Sequence, residues 1–233
     1  MAWNIPKMWE DGECWIIGGG SSIPRLFGIP EDVVTAVQHK ELPIDTYSPY
    51  LSALHGKHVI GVNIAFMLGN WVDVLVFGDG AFYGVNKQAI DGFRKLKISL
   101  NKNASPKMRG VVGLKMVERD NHIPFGISTR PNKVSWNKNT GAASINLAYH
   151  FGVKRIMLLG FDMKVSNNGS QHWHGHYKAP PKQGEKRRYP FRFHLPAFEP
   201  IRNDAKRLGL EILNVNDDSD IRELPMVKLE DVL

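Results

Sequence analysis

The chain has 233 residues, 42% of them hydrophobic and 10% aromatic, which is enough apolar surface for a globular core and excludes wholesale disorder. Thirty Lys and Arg against 23 Asp and Glu leave a net charge of +7, which favours anionic partners such as nucleotides, acidic sugars, nucleic acid or a membrane surface. No apolar run reaches the ~18–20 residues that cross a bilayer, the polar N-terminus lacks a leader pattern, and the single Cys14 excludes an internal disulfide and a cysteine-based zinc site.

These features predict a soluble, cytoplasmic protein. Glu13–Gly18 (ECWIIG) reads as the first strand, with Cys14 as a small buried hydrophobe. Pro30–His39 reads as a helix, with Pro30 in the first turn and Glu31 and Asp32 behind it. His58–Asn63 and Val72–Asp79 are the next strands, followed by a weaker helix over Asn86–Lys95 and β-type residues around Ile98. Gly110–Val117 reads as a further strand, and Gly141–Phe151 as a helix stopped by Gly152. Arg155–Asp162 is a strongly apolar strand; Phe198–Leu208 is a helix ended by Gly209, and Glu211–Val215 the last strand.

Several of these strands are apolar almost throughout, the mark of parallel strands covered on both faces. The predicted fold is α/β and Rossmann-like: a mostly parallel sheet with flanking helices, in one domain over 1–233. A long stretch at about 164–196, rich in His, Arg and Lys and without periodicity, is predicted to be a lid insertion. Between Lys178 and Arg192 it carries six basic residues against the lone acid Glu185. That run reads either as a solvated loop or as a grip on phosphate formed by Lys186, Arg187 and Arg188.

In an open parallel sheet, ligands sit beyond the carboxyl ends of the strands. The residues there are Gly18, Gly19, Gly20, Ser21 and Ser22 after the first strand, Asn63 after the second, Asp79 after the third, and Asp162 later. Glycines let a backbone come close to a phosphate, and serines add hydroxyl donors. The run lacks both the Lys-Ser/Thr ending of a P-loop and the G-x-G-x-x-G spacing, so it reads equally as a plain strand-to-helix turn. Asp79 and Asp162 are of a type that binds sugar hydroxyls or Mg²⁺, or merely caps a helix. In QHWHGHY, His172, His174 and His176 alternate, as metal ligands, a gating histidine or an exposed loop would. His194 follows the basic run and suits a general base.

Together, CWIIGGGSSI, HVIGVNIAF, VDVLVFGD, TGAASINLAYHFGVKRIMLLGFDM and the closing LGLEILNVNDDSDIRELPMVKLEDVL resemble a superfamily. It contains bacterial sialyltransferases of the lipooligosaccharide type and the related MptE-like proteins, 6-hydroxymethylpterin diphosphokinases among them; the chain is also similar to uncharacterised phage proteins, which would place it in a host cytoplasm. The resemblance implies that Gly18, Gly20, Ser21, Asn63, Thr140, Gly141 and Ala142 face a nucleotide. It further implies a lid histidine as general base, His194 by distance to the following helix or His176 by local context, with Tyr177 and Tyr189 assisting phosphate departure. A Ser at position 21 replaces the family's usual Pro after the glycines.

The expected function is a nucleotide-dependent transferase, most simply a glycosyltransferase with a nucleotide-sugar donor such as a CMP-sugar, needing no cofactor. The alternatives are a Mg²⁺-dependent diphosphotransferase with Asp79 or Asp162 on the metal, and a non-catalytic basic protein binding nucleic acid or a virion component. Nucleic acid is also a candidate acceptor, and an oligomer is compatible with the sequence.

Overall fold

The computed structural model describes residues 3–100, 108, 110–167, 169–176 and 190–233. In chain order the elements are β1 (Glu13–Ile17), α1 (Ile23–Leu26), α2 (Glu31–Gln38), β2 (His58–Val62), β3 (Val74–Phe77), α3 (Gly80–Gly92), β4 (Leu96–Ser99), β5 (Leu114–Met116), β6 (Glu118–Arg119), β7 (Lys133–Val134), α4 (Thr140–His150), β8 (Arg155–Leu159), α5 (Phe191–His194), α6 (Phe198–Leu208) and β9 (Glu211–Asn214).

Among the described residues, seven strands form one sheet in the order β5-β4-β3-β2-β1-β8-β9, and every neighbouring pair is parallel. The chain builds outward from β1 to β5, then returns to lay β8 and β9 on the other side of β1. The strand order therefore reverses between β1 and β8, where a doubly wound sheet opens a crevice for ligands.

Side chains alternate across the sheet. Cys14 and Ile16 of β1 join a core shared with α4 and α6, whereas Trp15 and Ile17 join a second core shared with α2 and α3. Both faces are dry, which is why these strands read as unbroken apolar runs. Helix α4 is buried nearly all round, and its small residues Ala142, Ala143 and Ala148 let it lie close over the sheet.

The predicted Asn86–Lys95 helix needs correction, because α3 begins at Gly80. Asp79 caps it by accepting from the Ala81 N–H at 2.8 Å, and Asn86 is a kink within it whose side-chain amide donates to the Phe82 carbonyl. The Gly110–Val117 strand contracts to β5, as Gly110 and Gly113 both take positive φ. Strand β8 ends at Leu159, before Gly160 with φ +71°. Among the described residues, no helix is long and apolar enough to cross a membrane.

Candidate functional site

A cleft of about 560 Å³ opens at the carboxyl ends of the central strands. The Gly18–Gly20 loop after β1 and Gly160–Lys164 after β8 form one end, and Asn63 after β2 stands beside them. Gly78, Asp79, Trp136 and the residues entering α4 form another wall, and His172, Phe191 and His194 come from the region predicted as a lid.

The glycines have a packing reason to be glycine. A Cβ on Gly18 would lie 2.8 Å from the Gly160 carbonyl oxygen; one on Gly20 would lie 2.6 Å from both that oxygen and the Asp162 carboxyl carbon. A Cβ on Gly19 would meet the His172 ring at 2.9 Å. The loop is thus wedged between β8's continuation and the histidine segment. The amides of Gly18 and Gly20 donate to Leu159 and Gly160. Among the described residues, the Gly19 N–H has no protein acceptor.

Asp162 holds this loop from below. Its carboxylate accepts from the Ser22 hydroxyl at 2.6 Å, the Ser22 N–H at 2.9 Å, the Asn216 amide at 2.9 Å and the Ser21 hydroxyl at 3.4 Å. Burial pushes its pKa up, and these donors pull it back. Both carboxylate oxygens are engaged by protein, whatever ligand role the sequence suggested. Ser21 and Ser22 do not line the main cleft but open onto a neighbouring polar hollow of about 410 Å³ beside Arg25 and Lys164.

The alternating histidines are neither a metal cluster nor an exposed loop. Trp173 between them is fully buried; its indole donates to the Gly18 carbonyl at 2.9 Å, and its carbonyl accepts from the Tyr47 hydroxyl. The Trp173 N–H reaches the Gly19 carbonyl, as does His172 Nδ1 at 3.1 Å; a carbonyl only accepts, so Nδ1 carries the proton. His174 is buried and Nδ1 accepts the His176 N–H, so that nitrogen is unprotonated. Burial, then the neighbouring His172 and His176, hold His174 far below the usual imidazole range. Among the described residues, no group of three His, Cys, Asp or Glu is arranged around a metal position. His172 lines the cleft; His174 and His176 do not.

His194 ends α5 and faces the cleft, with burial lowering its pKa. Thr140 and Gly141 line the cleft, but Ala142 is buried inside α4 and does not reach it. The amides of Gly141 and Ala142 are taken by Asn139, which caps α4 at 2.7 and 3.3 Å. An Asn immediately before Thr140-Gly141 is an N-cap signal readable from the sequence alone. Asp79 is exposed at the rim and caps α3. Tyr177, Tyr189, Lys186, Arg187 and Arg188 lie outside the described residues.

Backbone strain gathers at this site. Asn63 (φ +52°), Lys138 (+51°) and Met163 (+52°) take the left-handed conformation, and all three line the cleft. Such conformations cost ~1–2 kcal/mol outside glycine and persist where surrounding structure imposes them. Asn137 (+55°) shares it and directly precedes Lys138. Its buried side chain bonds both the amide and the carbonyl of Gly126 and fixes the turn that carries Trp136 and Lys138.

No protein-family model matches the chain, and no curated protein matches it in sequence. Two solved structures match the chain. The MAf glycosyltransferase from Magnetospirillum magneticum AMB-1 superposes with a TM-score of 0.58 at 14% identity, over 100% of this chain and 36% of its own. The likeness is one of fold. This chain spans little more than a third of that protein's length. The sialyltransferase CstII from Campylobacter jejuni, solved with the substrate analogue cytidine-5′-monophosphate, matches at a TM-score of 0.45 and 14% identity, over 92% of this chain and 84% of its own.

Proposed function

We propose that the chain is a glycosyltransferase-like transferase whose cleft holds the nucleotide of a nucleotide-sugar donor, such as a CMP-sugar. The carrying observation is the cleft at the point where strand order reverses, with the Gly19 N–H turned to no protein acceptor among the described residues. Gly18, Gly19, Gly20 and Thr140 form its backbone-rich wall, and Asn63 offers an amide that no described side chain or backbone group engages.

In the reaction, the acceptor hydroxyl oxygen forms the new bond to the sugar's anomeric carbon. The bond from that carbon to the phosphate oxygen breaks, and the nucleotide leaves with the electron pair. His194 takes the hydroxyl proton. Its burial favours the neutral imidazole, the form that accepts a proton. Of the two histidines suggested by the sequence, His194 is favoured because it lines the cleft and His176 does not. Base catalysis of this kind contributes ~10²–10⁴-fold, and positioning and electrostatics supply the rest. Lys186, Arg187 and Arg188 are proposed to neutralise the departing phosphate, and Tyr177 and Tyr189 to assist its departure.

The test is thermal denaturation with CMP, CDP, UMP, UDP and GDP. A nucleotide at about 100 times its Kd adds about 2.7 kcal/mol and raises the melting temperature by several degrees. If none of the five moves it, the nucleotide assignment fails. For the base, His194→Ala should cut donor turnover about 10²–10⁴-fold while nucleotide affinity holds; retained turnover overturns the role.

A further inference from the structure

The nucleotide reading leaves open which part of the cleft meets the base. Phosphate and ribose call for N–H and O–H donors, and the Gly19 amide, Asn63 and Lys164, which is itself paired with Asp218, stand on the cleft wall. A nucleobase calls for a flat apolar surface with a hydrogen-bonding edge. Among the described residues, three Phe, Tyr or Trp side chains line the cleft: Trp136, Phe161 and Phe191. Phe161 is only 2% exposed and packs into the core, with its ring against Gly141. Phe191 opens a four-residue helix.

Trp136 is different because the fold clamps it. The Arg119 guanidinium lies 3.6 Å from the centre of its indole. Arg119 is itself tied to the Leu100 carbonyl at 2.9 Å and the Gly78 carbonyl at 3.3 Å. Gly78 admits the indole: a Cβ there would lie 2.5 Å from its six-membered ring. Asn137, next in sequence, is locked by its hydrogen bonds to Gly126 and Ser135. The indole N–H is not buried and meets no acceptor among the described residues. Arginine, glycine and asparagine thus hold in the cleft wall a rigid aromatic side chain with an unused donor.

We infer that Trp136 is the nucleobase contact of the cleft: the arginine-clamped indole meets an aromatic base and its N–H is offered to a base acceptor. The inference rests on the nucleotide reading above. It names the recognised chemistry, an aromatic heterocycle with a carbonyl or ring-nitrogen acceptor, and leaves phosphate to the glycine loop.

The experiment measures binding of CMP, UMP and ribose 5-phosphate by calorimetry and follows the indole ¹⁵N–¹H resonance of Trp136, assigned by its loss in Trp136→Phe. The nucleoside monophosphates should move that resonance, and ribose 5-phosphate should not. Trp136→Leu should weaken nucleotide binding about 5- to 100-fold, towards the affinity of ribose 5-phosphate, which stays unchanged. Nucleotides that bind wild type without moving the resonance overturn the inference and leave the cleft reading standing, as does a Trp136→Leu protein with undiminished nucleotide affinity. If neither the nucleotides nor ribose 5-phosphate bind wild type, the cleft reading fails and this inference with it. The resonance measurement on wild type decides the matter even where Trp136→Leu does not fold.

Discussion

The Ser22 hydroxyl donates to the Asp162 carboxylate at 2.6 Å across 140 residues of sequence, and so ties the turn after β1 to the turn after β8. The Ser22 N–H and the Asn216 amide complete a node that joins three loops at the mouth of the cleft. An aspartate after a strand is most simply read as a ligand residue, and the structure gives this one a different occupation. In the proposed function it serves as a positioning residue, holding the turn that follows the Gly18–Gly20 loop.

Asp162→Asn tests that role. Asparagine keeps the shape but turns one acceptor into a donor aimed at hydrogens, leaving buried donors unpaired at ~1–3 kcal/mol. The expected result is a melting temperature lower by several degrees, together with weaker nucleotide binding. An unchanged melting curve in chemical or thermal denaturation would show that the node carries no stability.

The glycine loop separates packing from ligand chemistry. Gly20→Ala places a Cβ 2.6 Å from a backbone oxygen that cannot step aside, so a cost of ~1–3 kcal/mol is expected. Gly19→Ala meets the His172 ring, a side chain that can swing away, at the expense of its contact with the Gly19 carbonyl. Gly20→Ala should therefore lower the melting temperature more than Gly19→Ala. The reverse order would contradict the wedged geometry.

These residues also mark what the sequence could disclose. Unbroken apolar runs such as CWII and RIMLL identified buried parallel strands, because burial on both faces leaves no polar alternation to confuse them. The cleft-lining positions after those strands, Gly18 to Gly20, Asn63, Asp79 and Asp162, were legible for the same reason. The helix over Asn86–Lys95 was misplaced because Asp79 caps from outside the apolar pattern. Trp173 was illegible as an anchor: its partners Gly18 and Tyr47 lie 155 and 126 residues away, and no local rule reports them. Trp136 was missed likewise, since its clamp comes from Arg119 and Gly78.

Acid should weaken the fold before most carboxylates titrate. Burial lowers the pKa of His150, His174, His176 and His194, His174 most of all. A histidine with a lowered folded pKa binds fewer protons in the folded than in the unfolded state. Its contribution is present above the unfolded value near 6.5 and is lost as pH falls below it towards the folded value. Asp162, with a raised pKa, has the opposite sign: its contribution is lost as pH rises above the ordinary carboxylate value of 3.8. Comparing wild type with His174→Gln subtracts that background. Between pH 7.5 and 5.5 the melting temperature of wild type should fall more steeply than that of His174→Gln; equal slopes would remove His174 as the acid-sensitive group.

Asn63 should trade stability for binding. It holds φ at +52° on the cleft wall, a conformation asparagine tolerates better than most residues and glycine adopts freely. Asn63→Gly relieves the strain and removes the amide; Asn63→Ala removes the amide and raises the strain by ~1 kcal/mol. The glycine variant is therefore expected to melt at or above wild type, and the alanine variant a few degrees below. Both should bind nucleotide more weakly, by about 5- to 10-fold for one lost hydrogen bond of ~1 kcal/mol or slightly more. Calorimetry and melting on the same two proteins separate the effects, because strain and ligand contact predict opposite orders for Asn63→Gly. If Asn63→Gly gains stability and keeps full affinity, the left-handed turn serves the fold alone and Asn63 leaves the binding site.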